Sequence, residues 1–363
     1  MELVPLVLLP FFLAFIITFC LVPISIKYIK QLGLIDNPKL HIHPAIIHTK
    51  PVPRGGGIPM FLGALITALI VLPINKITQS IFFAAFLVLV IGIIDDKLNA
   101  KSKDVAPVLR FLVTILTAII VVGSNVSIKF ITNPLGGIYH LDAMKISFPV
   151  IHVSILLSDV ISVMWLIWIM NILNWSKGID GQMPGIVVIS AVVIGLVGLR
   201  FIPGGELATL DVKLSFIIAG CALGFLLFNF YPAKIFPGYG ATALYLLLGV
   251  ASILSSAKLA TAILVMGVPS IDALFTIGRR IYQKQALFKG DKKHLHHILL
   301  RLGLSQRQIA LFYWIVSAIL GIISLTLQSA SKILAILMLA GLTIGTLFFL
   351  HSFLKNDTDK INS

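Results

Sequence analysis

The sequence predicts an all-α protein that crosses a membrane many times. Of its 363 residues, 58% are hydrophobic and only 12% are charged. The apolar residues gather in runs close to the ~20 residues that cross a hydrocarbon core as a helix. A soluble domain has about 25% charged residues. A chain of this composition therefore lacks the polar side chains that would cover a soluble core.

The apolar runs predict about eleven transmembrane helices. They are placed at 3–24, 56–74, 79–94, 106–123, 156–173, 185–201, 213–229, 240–256, 258–276, 308–326 and 330–352. Between 124 and 150, short apolar segments around a Pro/Gly turn predict a small hairpin on the outward side. Residues 1–354 are therefore expected to form a single transmembrane domain, followed by a short polar tail at 355–363.

The basic residues predict the orientation of this domain. Most of the 28 Lys and Arg residues lie in alternate loops of the helical arrangement. These loops are 25–55, 95–105, 174–184, 230–239 and 277–307. By the positive-inside rule they face the cytoplasm, which puts the N-terminus outside and the C-terminus inside. Since the net charge of +14 is mainly this topology signal, the sequence does not favour a nucleic-acid partner.

Asp95 and Asp96 form an acidic pair at the end of an apolar run. Each carboxylate disfavours ionisation of the other unless a cation lies nearby. Mg²⁺ suits such a pair, because it accepts one or two carboxylates together with phosphate oxygens. A solvated helix end that carries two charges is the alternative interpretation.

Asn171 and Asn174 are three residues apart, which puts them on one face of a helix. Beyond Lys177, a Gly-Ile-Asp-Gly sequence around Asp180 predicts a tight turn. Amide side chains beside a carboxylate can hold a sugar, a base or a hydrated metal ion. A helix end capped by asparagine would have the same sequence.

Two loops rich in Pro and Gly each carry one conspicuous cation. Lys234 follows Asn229 in the first loop, and Arg54 follows His48 in the second. Pro stiffens such a loop and Gly lets its backbone approach a ligand, which suits a phosphate contact. A short positive-inside loop and a side chain that reaches lipid headgroups are the respective alternatives.

His294, His296 and His297 lie beside two lysines in the longest basic loop. Such a cluster suits binding of a pyrophosphate anion. A plain solvated loop and a metal site remain as alternatives, although a zinc site requires three or four ligands at characteristic spacings.

Taken in order, these clusters resemble the motifs of the polyprenyl-phosphate N-acetylhexosamine-1-phosphate transferases of bacterial cell-envelope synthesis. The resemblance covers about 36–307 and is nearest to the branch that moves GlcNAc-1-phosphate, rather than the muramoyl-pentapeptide branch. The matching motifs are His48 to Gly57, Asp95 with Asp96, Asn171 to Gly181, Asn229 to Lys234 and His294 to His297.

The resemblance implies attack of a polyprenyl phosphate on the β-phosphate of a UDP-sugar, with release of UMP, in the bacterial cytoplasmic membrane. Asp95 or Asp96 would assist the attacking phosphate. Mg²⁺ or Mn²⁺ would be the cofactor, with Asp95, Asp96 and Asp180 as its candidate ligands. Substrate binding would involve His48, Arg54, Asn171, Asn174, Lys177, Asp180, Asn229, Lys234, His294, His296 and His297. The oligomeric state is left open, with a homodimer as one option.

Two positions depart from the family pattern, because Lys177 and Tyr239 stand where the family has aspartates. Lys177 would meet the pyrophosphate directly, or Asp180 with Asp95 or Asp96 would hold a weaker metal. A catalytically silent homologue that binds lipid phosphate or nucleotide sugar is a further alternative. A transporter of a polyprenyl-linked sugar is less favoured, because no polar stripe runs through several helices.

Overall fold

A computed structural model describes residues 3–39, 47–133, 136–148, 153–200, 207–255, 259–285 and 294–361. These residues form thirteen α-helices. They are α1 Leu9–Gln31, α2 Gly57–Val71, α3 Lys76–Asn99, α4 Pro107–Val122, α5 Leu157–Trp175, α6 Gln182–Gly198, α7 Leu207–Asn229, α8 Thr242–Leu254, α9 Leu259–Val265, α10 Gly267–Tyr282, α11 Leu295–Arg301, α12 Gln306–Thr326 and α13 Ser329–Ile361. A π-helical turn precedes α1, at Val4–Leu8.

Six of the described helices are long and apolar enough to cross a membrane, and a seventh crossing results if α9 and α10 count as one. The six spans are Val4–Gln31, Lys76–Asn99, Leu157–Trp175, Thr209–Asn229, Gln306–Thr326 and Ala330–Leu350. The protein is therefore an all-α, multi-pass membrane protein, as its composition predicts.

Each of the eleven predicted segments overlaps a described helix, but their number as membrane spans stays a prediction. The apolar helices α2, α4, α6 and α8 have only 15, 16, 17 and 13 residues. At ~1.5 Å per residue they extend about 20–26 Å, which is less than a ~30 Å hydrocarbon core. The orientation of the chain also stays a prediction.

The predicted helix at 258–276 is divided in the structure. α9 and α10 meet at an angle of 83° on either side of Met266. Pro269 lacks a backbone N–H and restricts the residue before it, so it is accepted in the first turn of a helix but not in its interior. At the other end of the chain, α13 continues through 355–361 of the predicted polar tail.

The centre of the molecule is formed by α7 and α8. Every residue of Thr242–Ile253 is buried, and α7 packs against both α1 and α6. Gly220 and Gly224 lie one turn apart on the face of α7 that meets α1. A Cβ at Gly220 would lie 2.2 Å from the carbonyl oxygen of Phe11. Small residues with this spacing let two membrane helices approach closely.

Three antiparallel strand pairs lie among the described residues. β1 Ile35–Asp36 pairs with β2 Val52–Pro53, β3 Phe130–Thr132 with β4 Ile138–His140, and β5 Lys145–Phe148 with β6 Val153–Leu156. The β3–β4 pair confirms the predicted hairpin, although 134–135 of its turn lie outside the described residues. The β5–β6 pair was not predicted.

Candidate active site

The acidic pair lies in the last turns of α3, where both side chains are buried. Asp95 is 1% exposed and Asp96 is not exposed at all. α3 reaches this position because Gly92 has no side chain. A Cβ there would lie 2.4 Å from the Cα of Gly240, in the loop that precedes α8. The pair is therefore an interior feature rather than a solvated helix end.

Asp95 is held by a cation and by the backbone. Arg110 Nη1, in the first turn of α4, lies 3.2 and 3.3 Å from its two carboxylate oxygens. The backbone N–H of Val105 donates to Oδ1 at 3.1 Å. Asp95 thereby ties the loop between α3 and α4 to the end of α3.

Only one carboxylate oxygen of Asp96 accepts hydrogen bonds from the described residues. Oδ1 accepts from Arg54 Nε at 3.0 Å and from the backbone N–H of Tyr239 at 2.9 Å. Oδ2 is buried and has no hydrogen-bond partner among the described residues. It faces Gly238, whose φ is +69° and where a Cβ would lie only 2.1 Å from Oδ2. Gly238 thus leaves space beside an unsatisfied carboxylate oxygen.

Arg54 joins the acidic pair to the β1–β2 strands. Its Nη1 donates to Asp36 Oδ2 at 3.0 Å and to Asn99 Oδ1 at 2.8 Å. The strand register pairs Asp36 with Val52, which brings Asp36 beside Arg54. His48 Nε2 lies 3.6 Å from Asp36 Oδ1. His48 and Arg54 are therefore brought together through Asp36, a residue that the sequence analysis did not single out.

Lys177 lies just beyond α5 and reaches across to the loop before α8. Its Nζ donates to Asn174 Oδ1 at 2.9 Å and to the Gly238 carbonyl oxygen at 3.0 Å. Asn174 Nδ2 also donates to Thr242 Oγ1 at 2.7 Å. Burial, followed by the nearby Arg54 guanidinium, lowers the pKa of Lys177 to about 7.

Tyr239 presents its ring to two cations. Arg110 Cζ lies 5.2 Å and Lys177 Nζ lies 5.5 Å from the ring centroid, within the distance of a cation–π contact. Burial raises the pKa of the Tyr239 phenol to about 12. The phenol is therefore neutral at physiological pH and cannot supply the negative charge of an aspartate.

Asp180 and Asn229 position the loop that carries Lys234. Asn229 accepts from the backbone N–H of Gly181 at 3.0 Å and donates to the Ile235 carbonyl oxygen at 2.9 Å. Asp180 Oδ2 accepts from the backbone N–H of Ala233 at 3.0 Å. Burial raises the pKa of Asp180. These contacts fix the backbone between α7 and α8.

Two of the predicted substrate residues lie apart from this network. Asn171 Nδ2 donates at 2.8 Å to the Ile167 carbonyl oxygen of its own helix. Lys234 is exposed, with its Nζ 6.0 Å from the Phe228 ring centroid. Both residues stay predicted substrate contacts, and neither is joined to the acidic pair by a described contact.

The histidines lie at the start of α11, beside the turn that follows Lys177. His294 Nδ1 is 2.8 Å from Asp272 Oδ2 on α10, and its ring stacks on His296 with centroids 5.6 Å apart. A Cβ at Gly178 would lie 2.3 Å from His296 Nε2. Burial, with His297 and His294 nearby, holds the pKa of His296 well below its usual value, so this ring is neutral. The neighbouring lysines at 292–293 lie outside the described residues.

Comparison with known proteins shows the family of this chain. The family model of glycosyl transferase family 4 matches residues 78–256. A Bacillus subtilis protein, named as a probable undecaprenyl-phosphate N-acetylglucosaminyl 1-phosphate transferase, is 30% identical over 90% of this chain and 86% of its own length. The chain belongs to glycosyl transferase family 4.

Other members of the family match over similar lengths. The decaprenyl-phosphate N-acetylglucosaminephosphotransferase of Mycolicibacterium smegmatis is 30% identical over 74% of this chain and 70% of its own. The phospho-N-acetylmuramoyl-pentapeptide-transferase of Moorella thermoacetica is 26% identical over 88% and 97%. The relatives thus include proteins named for both GlcNAc-1-phosphate transfer and muramoyl-pentapeptide transfer.

The predicted metal ligands of this family 4 chain are not gathered into one site. Among the described residues, no group of three or more His, Cys, Asp or Glu side chains is placed to hold a metal ion. Arg110 binds both oxygens of Asp95, and Arg54 binds Asp96. Asp180 bonds instead to the backbone of the Lys234 loop. The donor set Asp95, Asp96 and Asp180 therefore does not fit a single Mg²⁺ in this arrangement.

Four further residues of the network were missed at the level of sequence: Asp36, Asn99, Arg110 and Asp272. Arg110 gave the clearest available signal, because it is a lone cation in the first turn of an apolar helix that follows the acidic pair. The contacts that join the other three to Arg54 or His294 span 18 to 45 residues of the chain. No local pattern predicts such pairs.

Proposed function

We propose that this chain transfers an N-acetylhexosamine 1-phosphate, with GlcNAc 1-phosphate as the leading candidate, from a UDP-sugar to a polyprenyl phosphate. The product would start a cell-envelope polysaccharide in the bacterial cytoplasmic membrane. The observation that carries the proposal is the similarity to named GlcNAc-1-phosphate transferases over most of the chain. The buried, ion-paired carboxylates of Asp95 and Asp96 at the end of the apolar helix α3 support it.

The proposed reaction is a single phosphoryl transfer. An oxygen of the lipid phosphate forms a bond to the β-phosphorus of the UDP-sugar. The bond from that phosphorus to the bridging oxygen breaks, and its electron pair leaves on UMP. The products are polyprenyl-diphospho-sugar and UMP, with no oxidation or reduction. Such reactions depend chiefly on positioning and on stabilisation of negative charge.

The two aspartates have different roles in this proposal. Asp96 keeps Oδ2 free of hydrogen bonds among the described residues, beside the space at Gly238. It would orient the lipid phosphate or accept its proton. Asp95, with both oxygens on Arg110, would act as a positioning residue. The basic side chains around the pair would offset the charge of the phosphates.

The predicted topology, oligomeric state and metal cofactor are compatible with this proposal. The eleven spans, the outward N-terminus and a cytoplasmic active site stay predictions. Together they would put the charged loops on the side of the membrane where UDP-sugars are made. A homodimer also stays a prediction. Mg²⁺ or Mn²⁺ stays a predicted cofactor, although the ion pairs on Asp95 and Asp96 do not favour it. If bound, the ion would supply countercharge to the phosphates.

A UMP-release assay tests the proposal. Purified protein in detergent is given undecaprenyl phosphate and a panel of UDP-sugars, with and without Mg²⁺. We expect UMP release that requires the lipid phosphate and is highest with a UDP-N-acetylhexosamine. Nucleotide binding without turnover of any UDP-sugar would instead favour the silent homologue, for which Lys177 and Tyr239 are the specific evidence. Movement of a lipid-linked sugar across vesicles without UMP release would favour a transporter.

A further inference from the structure

The two departures from the family pattern meet in space. Lys177 and Tyr239 are 62 positions apart in the chain, yet Lys177 Nζ donates to the carbonyl oxygen of Gly238 and lies 5.5 Å from the Tyr239 ring centroid. The resemblance places aspartates at both positions. Lys177 and Tyr239, which replace the two aspartates, are therefore neighbours in the site. Lys177 adds an ammonium group at this position.

The surroundings of Lys177 Nζ are those of a bound cation. The Asn174 amide oxygen lies at 2.9 Å and the Gly238 carbonyl oxygen at 3.0 Å. An ammonium group has three N–H donors. Two of them are used in the described contacts, which leaves one for a ligand.

The carboxylates of the cluster already have basic partners. Arg110 lies within hydrogen-bonding distance of both oxygens of Asp95, and Arg54 donates to Asp96 Oδ1 and to Asp36. A divalent cation at Asp95 or at Asp96 Oδ1 would displace these contacts. The third N–H of Lys177, in contrast, can meet an anionic oxygen without breaking a described contact.

We propose that the Lys177 ammonium group, together with Arg54 and Arg110, takes the place of the family's divalent cation, so that this chain binds the pyrophosphate of a UDP-sugar without Mg²⁺. The proposal rests on the function proposed above, because it concerns the same substrate. It also assigns Tyr239 a role, since its neutral ring contacts two of the three basic groups and holds no metal.

UDP binding provides the test, because it does not depend on turnover. The full chain in detergent is titrated with UDP by calorimetry, in EDTA and then in excess Mg²⁺. We expect the two dissociation constants to agree within about threefold. Lys177→Gln should weaken binding in EDTA by about tenfold or more, as expected for loss of a charge-assisted contact.

Lys101→Gln is the matched control, because it removes one exposed lysine from a neighbouring loop and should leave the dissociation constant unchanged. UDP binding by the unmodified chain that requires Mg²⁺ would overturn the proposal. So would a Lys177→Gln variant that binds UDP in EDTA as tightly as the unmodified chain.

Restoring the family's acidic residues gives a second test. The double variant Lys177→Asp, Tyr239→Asp should lose UDP binding in EDTA and regain it in Mg²⁺. If the double variant folds and still binds UDP equally well with and without Mg²⁺, the proposal that Lys177 replaces the metal ion is contradicted. If the double variant does not fold, UDP binding by Lys177→Gln in EDTA still tests the proposal.

The assays separate this proposal from the proposed function. UMP release that occurs only with Mg²⁺ would support the transferase and overturn the metal-free inference. UDP binding in EDTA that depends on Lys177, without UMP release from any UDP-sugar, would support the metal-free site and overturn the transferase.

Discussion

At the residue scale, Asp95 and Asp96 are neighbours in the chain with different partners. Asp95 uses both oxygens to hold Arg110 and the backbone of Val105. Asp96 uses Oδ1 for Arg54 and Tyr239 and leaves Oδ2 unbonded among the described residues. From this asymmetry we infer that Asp95 would position the loop before α4, whereas Asp96 would meet the substrate.

The first prediction concerns Asp96→Asn. Asparagine keeps the size of the side chain but loses its charge and its ability to accept a proton. We expect the rate of UMP release to fall by about 100-fold or more, the range attributed to general acid–base catalysis. Asp142→Asn, an exposed carboxylate on the hairpin side, is the control. Near-normal turnover by a folded Asp96→Asn variant would remove Asp96 from the mechanism.

The second prediction concerns pH. Because burial lowers the pKa of Lys177 to about 7, its ammonium form is present below this pH and is lost above it. If the ammonium group binds substrate, kcat/KM should fall as pH rises through about 7, since this ratio reports groups of the free enzyme. Lys177→Arg should abolish that fall, because a guanidinium stays charged. Superimposable profiles for the two proteins would contradict the prediction.

The sequence predicted the residues of this site better than their contacts. Asp96, Arg54 and Lys177 were each recognised within a local motif, because motif spacing is a property of the chain itself. Their pairing was not recognised, because Arg54 meets Asp96 across 42 positions and Lys177 meets Gly238 across 61. The replacement of two aspartates was visible in sequence, but their adjacency required the fold.

At the element scale, glycines bring three segments to one point. A Cβ at Gly57, at the start of α2, would lie 2.1 Å from the carbonyl carbon of Gly240. A Cβ at Gly92 on α3 would lie 2.4 Å from the Gly240 Cα. α2, α3 and the loop before α8 can therefore meet only without side chains at these positions. This contact places Arg54, Asp96 and Tyr239 within hydrogen-bonding distance.

The third prediction is that Gly92→Ala damages this contact. The added Cβ would meet the backbone of Gly240, which cannot turn away as a side chain can. We expect the free energy of unfolding to fall by about 1–3 kcal/mol, the usual cost of overpacking. UMP release should fall as well, because Asp96 is displaced from the Tyr239 N–H. Thermal unfolding in detergent and the UMP assay measure the two effects.

Gly278→Ala is the matched control for the third prediction. It lies within α10, and nothing is found within 4 Å of the Cβ that it would gain. Its stability should therefore be unchanged or slightly higher, since alanine favours the helix. Equal melting temperatures for Gly92→Ala and the unmodified chain would show that the three segments are not packed as described.

The elements themselves follow largely from hydrophobicity. Each predicted apolar segment overlaps a helix, because a chain in lipid must satisfy its backbone hydrogen bonds internally. The break at Met266 was not predicted, because the apolar run was taken as one helix although Pro269 would not be accepted in its interior. The short helix α11 and the β5–β6 pair were also missed. α11 has only seven residues, and the β5–β6 segment lies outside the apolar runs.

At the scale of the whole molecule, buried apolar helices lie at the centre and exposed apolar helices lie at the periphery. α7 and α8 form the interior, whereas α1 and the described side chains of α13 are mostly exposed or only partly buried, as in helices that face lipid. The ion-paired cluster lies at one end of α3, and the β3–β4 hairpin follows α4, which starts at that same end. We therefore expect the site and the hairpin on opposite sides of the membrane.

The fourth prediction tests this orientation. Lys101→Cys and Tyr139→Cys each place a thiol at an exposed position, one near the site and one in the hairpin. The variants are made in a chain with Cys20→Ala and Cys221→Ala. A membrane-impermeant maleimide added to intact cells should label Tyr139→Cys and spare Lys101→Cys until the cells are opened. The reverse pattern would invert the topology, and labelling of both in intact cells would disprove the opposed positions.

The proposed reaction moves a sugar together with its β-phosphate, and an isotope label tests this directly. UDP-GlcNAc labelled with ³²P at the β-phosphorus is supplied to the purified chain with polyprenyl phosphate. We expect the label to enter the lipid fraction and unlabelled UMP to appear in equal amount. Label that stays in UDP while sugar enters the lipid, or that enters no lipid at all with any UDP-N-acetylhexosamine, would contradict it.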